Sequence, residues 1–223
     1  MLNVCFSIFD GLSTSAEQRL WERGILTWAH FFTAAPVPLS ARKAAHVADQ
    51  IPGAEAALAA GLADWFLNRL SGMSRVRVYP HFRDAIRYLD IETTGLGPDA
   101  VITSIAVYDG RRLNVFVQGV NLHDFPRALA GAKLLVTFNG ARFDLPILRR
   151  SFRLDLAMPH LDLLPVTKAF GYHGGLKARE RQMGIKRQLD GDIDGKAAVD
   201  LWYRYADHRD MDALARLAAY NCE

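Results

Sequence analysis

The spacing of apolar residues changes character near Ser71-Gly72-Met73-Ser74, which reads as a linker. Before it, apolar positions recur at three- and four-residue intervals, the mark of helices with one buried face. Thr14-Ser15-Ala16-Glu17 fits a capping box, and the helix it opens, carrying Leu20 and Trp21, ends at Arg23-Gly24. Thr27 is a predicted cap for a second short helix through Phe32, and Ser40 for a third from Ala41 to about Asp49. A fourth is predicted from Glu55 to Leu70, with Leu58, Leu62, Trp65, Phe66 and Leu70 facing a core. Trp21, Trp28, Trp65 and Trp202 all sit in helical apolar patterns and are read as core.

After the linker the period shortens. Val76-Arg77-Val78-Tyr79 alternates, as an edge strand or an extended lead-in would. Strands are predicted from Ile86 to Glu92, Val101 to Tyr108 and Arg112 to Gln118, with the hairpin signal Asp109-Gly110 between the last two. A helix near Asp124 to Ala130 precedes a buried strand, Leu134 to Phe138. From Leu145 onward the pattern is helical apart from the short segment His160-Leu161-Asp162-Leu163-Leu164. Strands that pair antiparallel, followed by strand–helix alternation, predict a mixed sheet with helices on both faces.

Chemistry concentrates where the first and last of these long strands end. Asp90 and Glu92 are two residues apart on a predicted strand, so their carboxylates point to one face. Like charges held side by side repel unless a cation neutralises them, and hard carboxylate oxygens favour Mg²⁺ or Mn²⁺. A Thr93-Thr94-Gly95 turn follows at once. The strand Leu134 to Phe138 runs into Asn139-Gly140-Ala141-Arg142-Phe143-Asp144-Leu145-Pro146. Asn-Gly signals a turn and Pro146 stands where a helix can begin, which puts Asp144 on a strand–turn–helix corner in position to join the first two acids. Asp162 reads as structural. The histidines at 30, 46, 81, 123, 173 and 208 show no ligand spacing and are assigned no role.

Composition narrows the class. Half of the 223 residues are hydrophobic, enough for one full domain with a small appendage. Two cysteines, Cys5 and Cys222, make no disulfide framework, and a cytoplasmic location is expected. The apolar start of the chain has no basic leader and is not read as a signal peptide. No run is long enough to span a membrane. The net charge of +3 is small, but Arg142 to Arg187 holds ten lysines and arginines against four acids, a local excess of +6. Such a margin suits phosphate; a solvated helix face would have the same composition.

These motifs together resemble a known family. Asp90-x-Glu92-Thr93-Thr94-Gly95-Leu96 resembles the first motif of the DnaQ-like, or DEDD, 3′–5′ exonucleases of the ribonuclease H-like superfamily. Phe138-Asn139-Gly140-Ala141-Arg142-Phe143-Asp144 is similar to their second motif in the form seen in proofreading domains of family B polymerases. His160 to Leu164 and Gly175-Leu176-Lys177 fit the segments that follow, and the nearest likeness is to the YprB-like group. The resemblance covers roughly Tyr79 to the C-terminus. The region from Gly11 to Phe32 faintly resembles a helix-hairpin-helix element.

The resemblance implies a two-metal mechanism. Asp90 would bridge both ions, Glu92 would bind the one that activates water, and Asp144 would anchor the second. Thr93 and Leu96 would contact the terminal nucleotide, Leu96 by packing on its base, with Thr94, Asn139 and Phe143 beside them. Arg149, Arg150, Lys177 and Arg179 would meet phosphates. The tyrosine subclass carries Tyr-x-x-x-Asp on its last helix; Tyr220 fits, and the acid would be the residue after Glu223. A spare match, Tyr203 to Asp207, lies one helix earlier, and the histidine subclass would need His where Ala219 stands.

The expected architecture is therefore an α/β, ribonuclease H-like mixed sheet flanked by helices over residues 75–223, with a small all-helical domain over residues 1–74. The expected activity is metal-dependent 3′–5′ exonucleolytic hydrolysis of DNA or RNA, using two Mg²⁺ or Mn²⁺ ions on a single-stranded 3′ end. With its fourth acid past residue 223 the chain is expected to bind nucleic acid, to leave one ion position weak or empty, and to cut slowly or not at all. The rivals are a degenerate nucleic-acid-binding module of the same fold and an endonuclease.

Overall fold

Short polar side chains cap the first three α-helices of the N-terminal segment and fix where they begin. In a computed structural model, which describes residues 2–97, 99–153, 156–187 and 194–222, the chain divides into two units, Met1–Arg83 and Asp84–Glu223. Asp155 and Glu223, both used in reading the sequence, lie outside the described residues.

The first unit holds α1 (Thr14–Glu22), α2 (Trp28–Thr33), α3 (Ala41–Ala60), α4 (Ala63–Leu67) and α5 (Tyr79–Phe82). Thr27 and Ser40 cap α2 and α3, accepting from the His30 and Lys43 amides. The first cap is Ser13, one residue before the expected box. Glu17 is thereby released from capping and is 1% exposed. Its carboxylate accepts from the Phe6 and Ser7 amides at 2.5 and 2.8 Å and pairs with Arg77 at 2.6 Å. A buried carboxylate needs such donors. The same pairing accounts for Val76 to Tyr79, which is no strand: Gly72–Val78 winds into a 3₁₀ turn that brings Arg77 to Glu17. The third and part of the fourth expected helices are one helix, α3, which continues through Pro52 to Ala60. Gly61, with φ +67°, ends it in the left-handed region. Leu62 follows in the break, 47% exposed and not in the core.

The second unit is built on five strands: β1 (Ile86–Thr93), β2 (Ile102–Tyr108), β3 (Leu113–Val117), β4 (Leu134–Thr137) and β5 (His160–Asp162). Their order is β3-β2-β1-β4-β5. The β1–β2 and β2–β3 pairs are antiparallel, and β1–β4 and β4–β5 are parallel. This is the mixed sheet predicted from the apolar pattern. The helices are α6 (Phe125–Ala128), α7 (Asp144–Phe152), α8 (Leu163–Ala169), α9 (Leu176–Gln182), α10 (Gly195–His208) and α11 (Met211–Cys222). Leu89 and Ile91 of β1 pack in one core with Phe125 and with Leu145 and Leu148 of α7. On the opposite face Val117 packs with Leu201, Trp202 and Tyr205 of α10 and Leu217 of α11. Strand alternation therefore turns Asp90 and Glu92 toward the α10–α11 side. No described helix is long and apolar enough to cross a membrane.

The turn after β4 decides where Asp144 goes. Asn139 takes φ +63°, and the Gly140 amide donates to Thr137 Oγ1 at 3.0 Å. A Cβ on Gly140 would stand 2.1 Å from that oxygen and 2.6 Å from Thr137 Cβ. Asp162, at the end of β5, accepts from the Asn139 and Ala141 amides at 2.8 and 3.1 Å and caps α8 through Leu164. Replacing Gly140 by Ala overpacks this corner and should cost about 1–3 kcal/mol, lowering the melting temperature by about 2–4 °C per kcal/mol. Gly53→Ala, inside α3 with open space around its Cβ, should instead stabilise by about 0.5–1 kcal/mol. Thermal melts followed by circular dichroism compare them; an unchanged melting temperature for Gly140→Ala would mean that Thr137 yields freely.

Candidate active site

Parallel pairing of β1 with β4 runs from Ile86 to Tyr88 and stops. Past Tyr88 the two strands part, and a recess of about 1330 Å³ opens along the end of β1. Asp90, Glu92 and Asp144 all line it, as do Thr93, Leu96, Asn139, Phe143, Lys177 and Tyr220. Residues from β1, from the β4–α7 turn, and from α9 and α11 thus meet in one place.

The acids are uncomfortable there. Asp144, at the start of α7, is 2% exposed, and its Oδ1 has no hydrogen-bond partner. Burial, and then the charge of Asp90, push its carboxyl up to about 8. Glu92 is pushed up to about 8 by the same two causes, with Lys177 pulling the other way. Asp90 stays accessible along the recess, but the surrounding walls strip it of much of its water. That burial raises its carboxyl to about 6, against a hydrogen bond from Asn221 and the charge of Arg187. Each acid therefore resists ionisation, and Asp90 is the shared neighbour through which the other two feel repulsion. Among the described residues, no three His, Cys, Asp or Glu side chains are arranged to enclose one metal ion.

Around the acids the walls are mixed. Tyr220, on α11, has its hydroxyl held above its ordinary range by burial and by Glu92, and Lys177 Nζ lies 5.0 Å from its ring centroid. Leu96 is 88% exposed at the recess, a large apolar side chain left in solvent. Thr93 Oγ1 donates to the Gly95 carbonyl at 2.6 Å, and Thr94 Oγ1 accepts from the Val101 amide at 3.0 Å, so these hydroxyls shape the turn that carries Leu96.

The cationic wall differs from the one expected. Arg179 is 4% exposed and structural: it donates to the Gly174 and Leu164 carbonyls at 2.8 Å each, bonds Thr167, and lies over the Phe138 ring. Its guanidinium is consumed in tying α9 to α8. Arg149 and Arg150, on α7, are also outside the recess lining, and donate to the Leu156 and Ala100 carbonyls. Thr94 is outside it too. The cations that do line the recess are Lys177, Arg181, Arg187 and Lys196. The last three carried no individual signal in the sequence; only the charge excess of the segment pointed toward Arg181 and Arg187. Asn221, 5% exposed and bonded to Asp90 Oδ2 at 2.9 Å, was missed as well. The spare match fares otherwise: Tyr203 is 47% exposed, Asp207 is exposed on α10, and neither lines the recess.

No curated protein matches the chain. Among solved structures, the family B DNA polymerase from the hyperthermophilic archaeon Pyrobaculum calidifontis is similar at 18% identity and a TM-score of 0.46, over 61% of this chain and 23% of the polymerase chain. The chain thus spans less than a quarter of that polymerase's length. A family model described as the RNase_H superfamily matches residues 87–223, the stretch that carries every strand of the sheet after its first residue, and the chain belongs to that superfamily.

Proposed function

We propose that this chain is a metal-dependent nuclease of the DEDD tyrosine type that removes nucleotides from a 3′ end. The observation that carries the reading is the grouping of Asp90, Glu92 and Asp144 on one recess, each held against ionisation by burial or by its neighbour. Their hard oxygens, and the orphaned Oδ1 of Asp144, suit Mg²⁺ or Mn²⁺. Asp90, Glu92 and Asp144 would hold the ions, which in such sites activate water and stabilise the leaving oxygen.

The other residues have roles that follow from their chemistry. Tyr220 keeps its proton at neutral pH and can donate it in a hydrogen bond to the attacking water or to the phosphate. Lys177, Arg181, Arg187 and Lys196 offer the backbone of a strand its counter-charge. Leu96 and Phe143 give a base an apolar surface to pack on, and Asn139 an amide to bond. On this reading the substrate is a single strand with a free 3′ end. Hydrolysis of end-labelled single strands by the chain with Mn²⁺ tests the reading. A ladder of mononucleotides supports it; internal fragments would indicate an endonuclease, and a gel shift without cleavage a binding module.

The raised carboxyls set the pH dependence. In the metal-free fold these groups bind protons that the unfolded chain has released, so metal-free stability falls as pH rises from about 4 toward about 8. Cations bind the deprotonated acids and offset that loss. Mn²⁺ should therefore raise the melting temperature more at pH 8 than at pH 6, and Asp90→Asn should remove most of the gain. A gain independent of pH, or equal in the variant, would rule out these carboxylates as the ligands.

The cationic wall makes a separate prediction. Reversing Lys177 and Arg181 to Glu should weaken single-strand binding and lower the slope of log affinity against log salt by about 2, one per lost phosphate contact. Reversing Arg149 and Arg150 should change that slope little. Fluorescence anisotropy across a salt series measures both; equal effects of the two pairs would place the phosphate path elsewhere.

A further inference from the structure

Asn221, on α11, meets the acidic centre through a hydrogen bond to Asp90. Its side chain is 5% exposed and is bonded at both ends. Ser104, fully buried on β2 directly across from Glu92, donates from Oγ to Asn221 Oδ1 at 3.1 Å. Asn221 Nδ2 donates to Asp90 Oδ2 at 2.9 Å. The two bonds are not interchangeable. A flipped amide would set its oxygen against the Asp90 carboxylate, two acceptors with no proton between them. The Asp90 carboxylate, which only accepts, draws the amide nitrogen to itself, and the Ser104 hydroxyl, donating to Oδ1, holds the amide in that orientation.

We infer that Asn221 is a positioning residue for Asp90, and that Ser104, through Asn221, sets the orientation in which the shared carboxylate meets a divalent cation. A carboxylate is free to rotate about its last bond; one oxygen held by an oriented amide removes that freedom. Cation binding then begins from a single arrangement of Asp90. The hydrogen bond also links α11 to β1, so the helix that carries Tyr220 is located by the same contact. This inference rests on the metal-site reading above.

The test uses Mn²⁺ binding to the full chain, followed by electron paramagnetic resonance, for the wild type, Asn221→Leu, Ser104→Ala and the double variant. Leu has the same branched skeleton as Asn, with bulkier methyl groups in place of the amide atoms, and cannot donate. Asn221→Leu should weaken Mn²⁺ binding roughly 10–100-fold, the usual loss when the partner of a metal ligand is removed. Ser104→Ala should shift it in the same direction by less, because the amide stays but loses its orientation. The double variant should be no weaker than Asn221→Leu, since Ser104 acts only through the amide. Unchanged affinity in Asn221→Leu, or losses that simply add in the double variant, would overturn the inference while leaving the metal site standing. If Asn221→Leu does not fold, Ser104→Ala decides alone: it makes no direct contact with the acids, and unchanged Mn²⁺ affinity there refutes the relay. A wild-type chain that binds no Mn²⁺ would remove the metal reading itself, and the relay with it.

Discussion

The close approach of Gly140 to Thr137 is the constraint on which the site depends. β4 is only four residues long, and the chain must leave it, turn and start α7 with Asp144 facing β1. The turn achieves this by letting the Gly140 backbone sit against the Thr137 side chain, where no Cβ fits. Asp162 then holds the turn from β5 by accepting from two of its backbone amides, and caps α8 with a third bond. The sequence read Asp162 as structural, and the fold uses it as the brace that shapes the recess.

Burial of like charge is the second organising force. Asp90, Glu92 and Asp144 are brought together against their mutual repulsion, and the fold bears that cost through contacts made elsewhere. The apolar layers on either face of the sheet, Leu89 and Ile91 with α7 on one side and Trp202 and Leu217 with Val117 on the other, fix the elements that carry these carboxylates. Residues that violate the local rules of stability while the rest obeys them mark where function resides. A contrast lies in the first unit, where Glu17 is buried as fully as Asp144 but has Arg77 and two amides as partners. That acid is satisfied, and it serves architecture.

Much of this was legible in the chain. The period of the apolar residues identified four of the five strands and the mixed character of the sheet, and set the fifth, β5, apart only as a break in the helical pattern, because strand alternation and short buried runs are local signals. Thr27 and Ser40 declared their helices because capping needs only the next three residues. The acids at 90, 92 and 144 were marked by spacing and by the turns beside them, and all three line the recess. Where reading failed, the competing influence came from far along the chain. Val76 to Tyr79 alternates like a strand but winds into a turn because Glu17, sixty residues earlier, draws Arg77 in. Helix α3 passes through Pro52, and the break falls at Gly61.

The sequence by itself determined which residues carry charge, which runs could be buried, and which short stretches must turn. Only the tertiary structure decided how those charges are used. Arg179 and Lys177 are two residues apart in one basic segment, yet one is sealed against the Phe138 ring and the other lines the recess, because residues two apart on a helix point about 200° apart around its axis, to opposite sides of α9. Asn221 looks like an ordinary polar residue near the end of a helix until Ser104, 117 positions away, fixes its amide against Asp90. Spacing encodes which face of an element a side chain occupies; what stands opposite that face is set by packing between elements, and the energy of a buried charge depends on that partner above all.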